Sequence, residues 1–191
     1  MSETEGKGRL TSAPVLETQR TILRPHRLED FDAYCAMGIE PAVFRFIGGR
    51  ARSREESWQR LLRHPGMWSL LGFGFWAVED KASGRFIGEV GFHELKRAIE
   101  PSIDGTPEAG WSLMTDMQGL RLGTEIMRRV LQWGDEMLAS PRTVCLIDPE
   151  NTASLGVARK CDFHPYARTT YNDQPAILLE RPRHGSAAPC V

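Results

Sequence analysis

The stretch Glu108–Leu138, EAGWSLMTDMQGLRLGTEIMRRVLQWGDEML, limits the possible folds more than any other part of the chain. A short strand-like run ends at Leu113–Met114. A loop carrying Gly119 and Gly123 follows. The loop opens a helix over about 122–138, in which Ile126, Val130, Trp133 and Met137 recur at helical spacing. A strand passing through a glycine loop into an amphipathic helix belongs to a sheet covered by helices. The first N–H groups of a helix lack internal partners and carry partial positive charge, so such a loop suits an anion, and glycines let the backbone approach it. Arg121 adds a cation. The dinucleotide fingerprint GxGxxG and the P-loop lysine are both absent. Taken alone, the stretch is equally an ordinary helix start.

The remaining pattern extends the same architecture. Val15–Leu23 reads as a strand ended by Arg24-Pro25. Arg27–Gly38 reads as a helix with Leu28, Phe31, Tyr34 and Cys35 on one face. Ser53 and Glu56 form a capping box for a second helix, which Pro65 is expected to stop. Phe73–Glu79 and Arg85–Glu94 form a hairpin about the turn Asp80–Gly84. Thr143–Ile147 is a short β-branched run, Asn151–Cys161 a helix, and Phe163–Thr170 and Gln174–Glu180 two closing strands. The order β-α-α-β-β-β-α-β-α-β-β predicts a mixed α/β sheet with helices on both faces. Residues 1–13 and 184–191 read as flexible ends around one domain at 14–183.

A formal net charge of −1 gives no global drive toward nucleic acid. The four cysteines lack metal-ligand or CxxC spacing, and Cys145 and Cys161 read as small core residues. With no apolar span or leader in the pattern, the expected setting is the cytoplasm, without membrane or nucleic-acid partners, as a monomer or homodimer.

Four stretches, in order, point to a family: LETQRTILRP, FIGEVGFHEL, EAGWSLMTDMQGLRLGTEIMRRVLQWG and ENTASLGVARKCDF. From Leu16 to Glu180 the chain resembles the GCN5-related N-acetyltransferase (GNAT) superfamily, and within it the subgroup containing the ribosomal-protein N-terminal alanine acetyltransferases. The resemblance implies the acyl-CoA N-acyltransferase fold, a seven-stranded mixed sheet splayed at its middle. It implies acetyl-CoA as cosubstrate, no metal, and a primary-amine acceptor: a protein N-terminus, an amino acid or a small-molecule amine. The amine would attack directly in a ternary complex. The alternative is a catalytically idle acyl-CoA-binding or sensor module on the same fold.

The resemblance also assigns residues. Leu113 and Met114 would hydrogen-bond the pantetheine arm through their backbone. Gln118, Gly119, Leu120, Arg121, Leu122, Gly123 and Thr124 would hold the pyrophosphate. Asn151 would contact the pantetheine end, and Ser154 would lie near the thiol sulfur or the pyrophosphate. The chain departs from the family pattern twice. Arg121 replaces the middle glycine of the loop; a side chain there need not block binding if φ is negative, and it can add a charge-assisted contact to phosphate. Lys160-Cys161-Asp162-Phe163 replaces Lys-x-Gly-Phe, and Asp tolerates the left-handed geometry of a helix cap.

Acetyl transfer needs a neutral amine, a polarised carbonyl and a departing thiolate. Glu94 and Glu108 are the candidate bases, with His93 behind them. Glu89, Glu94 and Glu108 can each instead be solvated strand carboxylates. Ala158 occupies the position of the family's usual acid tyrosine, which leaves Ser154 to hydrogen-bond the sulfur, with Tyr166 and Tyr171 as further hydroxyls near the last strands. Trp58, Met67, Trp68, Phe73 and Trp76 are core or acceptor-pocket residues. Arg45, Arg50, Arg52 and Arg54 are either a solvated loop face or an attraction for an anionic group.

Overall fold

The computed structural model describes residues 9–184. An eight-stranded sheet runs in the order β1-β2-β3-β4-β5-β6-β8-β7. The strands are β1 Leu16–Glu17, β2 Thr21–Arg24, β3 Phe75–Asp80, β4 Phe86–His93, β5 Glu108–Leu113, β6 Arg142–Ile147, β7 His164–Tyr171 and β8 Gln174–Pro182. The count exceeds the expected seven because the first predicted strand is a hairpin. β1 and β2 pair antiparallel, Leu16 opposite Leu23, and the Thr18 hydroxyl accepts from the Thr21 N–H to close the turn. Every neighbouring pair is antiparallel except β5–β6. That parallel pair meets only where Glu108 faces Val144, so the sheet opens beyond Glu108.

One face is covered by helix α4, Leu122–Met137. Its Ile126, Met127 and Val130 are fully buried, and Trp133 closes an edge-to-face cluster with Trp68 and Trp76 at 5.5 and 5.0 Å. Such ring pairs add roughly 0.5–1.5 kcal/mol beyond their burial. Trp68 and Trp76 are therefore core, and neither is acceptor surface. Gly134 is required here, since a Cβ would come within 2.8 Å of the Phe92 ring. Helix α5, Thr152–Lys160, packs beside α4.

The opposite face is covered by α1 (Phe31–Gly38), α2 (Pro41–Phe44) and α3 (Arg54–Leu71). Two expectations are corrected here. Leu28 lies in a 3-10 turn over Leu28–Asp30 that breaks the helical register, so it is exposed. Helix α3 runs through Pro65 to Leu71, where Gly72 ends it with φ +78°. Proline costs the helix one hydrogen bond, but Met67 and Trp68 beyond it are buried and the Trp68 indole donates to Phe75 O at 3.1 Å. Tertiary anchoring outweighs the local break. The capping box at Ser53 and Glu56 forms as expected.

Within 9–13, Ala13 is buried and Leu10 packs on the core. Cys145 and Cys161 are buried free thiols, as expected, and Cys35 is also free. Cys190 lies outside the described residues. Among those residues, no helix is long and apolar enough to cross a membrane.

Candidate active site

The opening between β5 and β6 leads to the loop before α4. None of the N–H groups from Gly119 to Thr124 donates to a protein acceptor among the described residues; the first helical bond is Glu125 N to Arg121 O. Gly119 has φ +76° and Arg121 φ +64°. The condition of negative φ, under which a side chain at this loop position leaves the cradle undisturbed, is not met at Arg121. The arginine takes the left-handed geometry that a glycine adopts freely, and alternation of this kind turns successive N–H groups into an anion-binding concavity. The loop is braced from below. Arg20 donates to Leu120 O at 3.0 Å and to Glu125 at 2.8 Å, and the buried Leu122 anchors the helix start. Gly123 lets α4 approach α5, since a Cβ there would meet Val157 Cγ2 at 3.3 Å.

Gln118 folds back to donate to Leu113 O at 2.9 Å, and Met114 N donates to Ile87 O at 2.9 Å. Two of the backbone groups expected to meet pantetheine are thus engaged within the protein. Asn151 caps α5 by accepting from Ser154 N at 3.0 Å. Asp162 has φ +62°, the left-handed cap expected of it. Ala158 is fully buried, which leaves no hydroxyl where the acid tyrosine would stand.

Strand pairing places Glu89, His93, Glu108 and Ser112 on the helix α1–α3 face, with His93 opposite Glu108 and Glu89 opposite Ser112. Glu108 is buried and accepts from Arg97 at 2.7 and 2.9 Å. His93 Nε2 lies 3.0 Å from its Oε1. Burial alone would raise the Glu108 pKa, but His93 and Arg97 outweigh it and hold the carboxyl down at about 2. Arg97 in turn lies over the Tyr171 ring at 4.3 Å, and Arg142 lies over Tyr166 at 5.4 Å. Glu94 falls just past β4. It pairs with Lys96 and accepts from Gly105 N at 3.3 Å, and the Lys96 ammonium lowers its pKa.

A second buried polar cluster forms around Glu89. Glu89 is fully buried rather than solvated, and accepts from Arg60 at 2.9 Å and the Tyr34 hydroxyl at 3.0 Å. His64 Nε2 lies 3.1 Å from it, and His26 stacks on His64 with centroids 4.0 Å apart. Ligand atoms of His26, His64 and Glu89 fall within 4.8 Å of one another. Arg60 already balances the Glu89 charge, and the two rings lie parallel, within 6°, so their lone pairs do not converge. The arrangement is that of a charge-balanced polar core that holds Tyr34 through Glu89 and Arg60. Helical spacing of Arg60 and His64 on α3 was the one available signal.

A sheet splayed between β5 and β6, with a run of N–H groups opening α4, fits the class of acyl-CoA-dependent acyltransferases. The acetyltransferase (GNAT) domain family matches residues 20–164, and the chain belongs to that family. It is an acetyl-CoA-dependent N-acetyltransferase. An uncharacterized protein of Bacillus subtilis, YkkB, is 31% identical over 174 residues, covering 87% of this chain and 94% of the relative. A putative GNAT-family acetyltransferase structure from Bordetella pertussis matches with TM-score 0.78 and 32% identity, over 88% of this chain and 99% of that one. The ribosomal L7/L12 α-N-protein acetyltransferase RimL, solved in complex with coenzyme A, shares the fold with TM-score 0.73 at 14% identity, over 88% of this chain and 98% of that one.

Proposed function

We propose that this chain acetylates a primary amine by direct attack within a ternary complex. Acetyl-CoA lies in the β5–β6 splay with its pyrophosphate on the N–H groups of Gly119–Thr124. The observation that carries this reading is the six-residue run of unpartnered N–H groups, aligned with the positive end of α4. A neighbour of the same fold holding coenzyme A supports it. The free edge of β5 beyond Glu108 offers backbone groups to the pantetheine arm and a donor to the thioester carbonyl.

Proton removal falls to His93 in this reading. Glu108, already matched by Arg97, is too weak a base for an ammonium and serves instead to orient the imidazole. Glu94 is tied to Lys96 and Gly105 in the connection after β4 and takes no part. Ser154, at the start of α5, donates to the departing sulfur; thiolates leave readily enough, with pKa near about 8.5, that no stronger acid is needed.

Thiol release from acetyl-CoA in the presence of a panel of primary amines tests the proposal. Turnover with any amine class, dependent on that amine, is the expected outcome. Failure to bind coenzyme in a calorimetric titration would overturn it.

A further inference from the structure

We infer that the ion pair between Arg45 and Glu150 closes the acceptor's entrance to the splay and sets the largest amine that this chain acetylates. The inference rests on the transferase reading above and names a specificity determinant of the same site.

The two halves of the sheet part beyond Glu108, so a molecule reaching the reacting centre enters between a β5 wall and a β6 wall. On one face α4 and α5 close that gap. Gly123 lets them meet at Val157, and Arg128 donates to Lys160 O at 3.1 Å. The other face carries His93 and Glu108, and an amine that gives its proton to His93 comes from that side. One short segment bridges it. Just before α2, the Glu40 carboxylate accepts from Thr115 N at 2.6 Å and from the Thr115 hydroxyl, which ties the segment to the loop after β5. Just after α2, Arg45 donates to Glu150 at 2.9 Å, which ties it to the turn between β6 and α5. Both ties lie past the C-terminal ends of the two parallel strands, where the strands have parted.

The two ties differ in strength. Glu40 holds Thr115 through two hydrogen bonds, one of them to backbone. The Arg45 and Glu150 side chains are 65% and 72% exposed, and an exposed pair holds weakly and is screened by salt. Val43 is buried with Tyr34 and Met37, which seats α2 on the body of the protein. Beyond Arg45 the chain turns through Gly48 and Gly49, at φ +90° and +74°, with open space where a side chain would stand. A few loop residues of this kind absorb the backbone change of a hinge. The Glu150 side is therefore the side that opens. The other arginines of the 45–54 run do not share this role. Arg50 and Arg54 pair with Glu56 and Asp32 on the same helical layer, and Arg52 turns its buried, unpartnered Nε and Nη2 toward Gly38.

The test measures kcat/KM for primary amines of increasing bulk, from ethylamine to a tripeptide amide, in the wild-type chain, in Arg45→Glu, in Glu150→Arg and in the double variant that restores the pair with its charges exchanged. The ratio of bulky to small amine cancels any difference in the folded fraction. We expect that ratio to rise about two- to fivefold in each single variant and to return to the wild-type value in the double variant. Added salt should raise the ratio in the wild type and leave it unmoved in Arg45→Gln. Amide exchange at Gly49, whose N–H donates to Phe44 O at 3.0 Å, should speed up in the single variants and recover in the double. An unchanged ratio in the single variants, or a changed ratio that the double variant fails to restore, would overturn the inference and leave the transferase reading standing. Coenzyme binding without acetylation of any amine would overturn both.

Discussion

Glu108 Oε1 lies 3.0 Å from His93 Nε2, while both oxygens of the same carboxylate accept from Arg97. A carboxyl held at about 2 is an anion throughout the working pH range. It can steer an imidazole but takes up little proton itself. We expect His93→Gln to lower kcat by about 10²-fold or more. Glu108→Gln should lower kcat by a smaller factor. An unchanged kcat in His93→Gln would exclude the histidine as base. Thermal midpoints must accompany Glu108→Gln, because it leaves Arg97 buried without its anion.

The N–H cradle makes a sharp prediction about coenzyme affinity. Gly123→Pro removes one N–H from the first turn of α4, where proline is otherwise tolerated. Loss of one charge-assisted bond, about 1.5–3 kcal/mol, weakens binding roughly 10- to 150-fold. Gly123→Ala keeps the N–H and adds only the Cβ that meets Val157 Cγ2 at 3.3 Å. Calorimetric titration with coenzyme A should separate the two variants. Equal losses would mean that close packing at Gly123, not its N–H, governs affinity.

Arg121 is a non-glycine residue at φ +64°. Left-handed backbone costs an L-residue roughly 1–2 kcal/mol, part of which a glycine returns as chain entropy in the unfolded state. Arg121→Gly should therefore stabilise the coenzyme-free chain by about 0.5–1 kcal/mol, read as an increased urea midpoint at constant m-value. A decrease would show that the arginine side chain contributes more than its backbone costs.

Stability should also depend on pH through the cluster beneath Tyr34. Burial, reinforced by His64, pushes the His26 pKa down to about 3. Below about pH 6.5 the unfolded chain takes up a proton that the folded chain refuses until about pH 3, so stability falls with falling pH by up to about 1.4 kcal/mol per unit. Glu89 acts in the same direction at lower pH. Its burial would raise the pKa, but Arg60 and His64 hold it well below the ordinary range, so the unfolded state again protonates first. Denaturant midpoints from pH 8 to 4 should fall progressively, and His26→Gln should flatten the part between about pH 6.5 and 4.5. A flat wild-type curve would contradict burial of a neutral His26.

Local pattern was enough to locate most elements. The apolar spacing of Ile126, Val130 and Trp133 placed α4, and the Ser53–Glu56 box placed the start of α3. It failed where a distant contact overrode a local rule. Pro65 reads as a helix stop, yet Trp68 is held by Phe75 O and the helix continues. Val15–Leu23 reads as one strand, yet the Thr18–Thr21 turn folds it into a hairpin. Glu89 reads as a surface carboxylate because nothing near it in sequence shows that Arg60, Tyr34 and His64, from two helices, converge on it.

The sequence by itself determined the kind of protein. The strand, glycine loop and amphipathic helix at 108–138, followed by the Asn151 cap, are short-range features whose geometry depends on neighbours a few residues away. Tertiary structure alone decided what each titratable group does. Glu94 and Glu108 look alike in the chain, but one pairs with Lys96 in a loop and the other sits buried between His93 and Arg97. Charge is felt through space, and the partners that fix a carboxylate's pKa are brought close only when the sheet and α3 have packed.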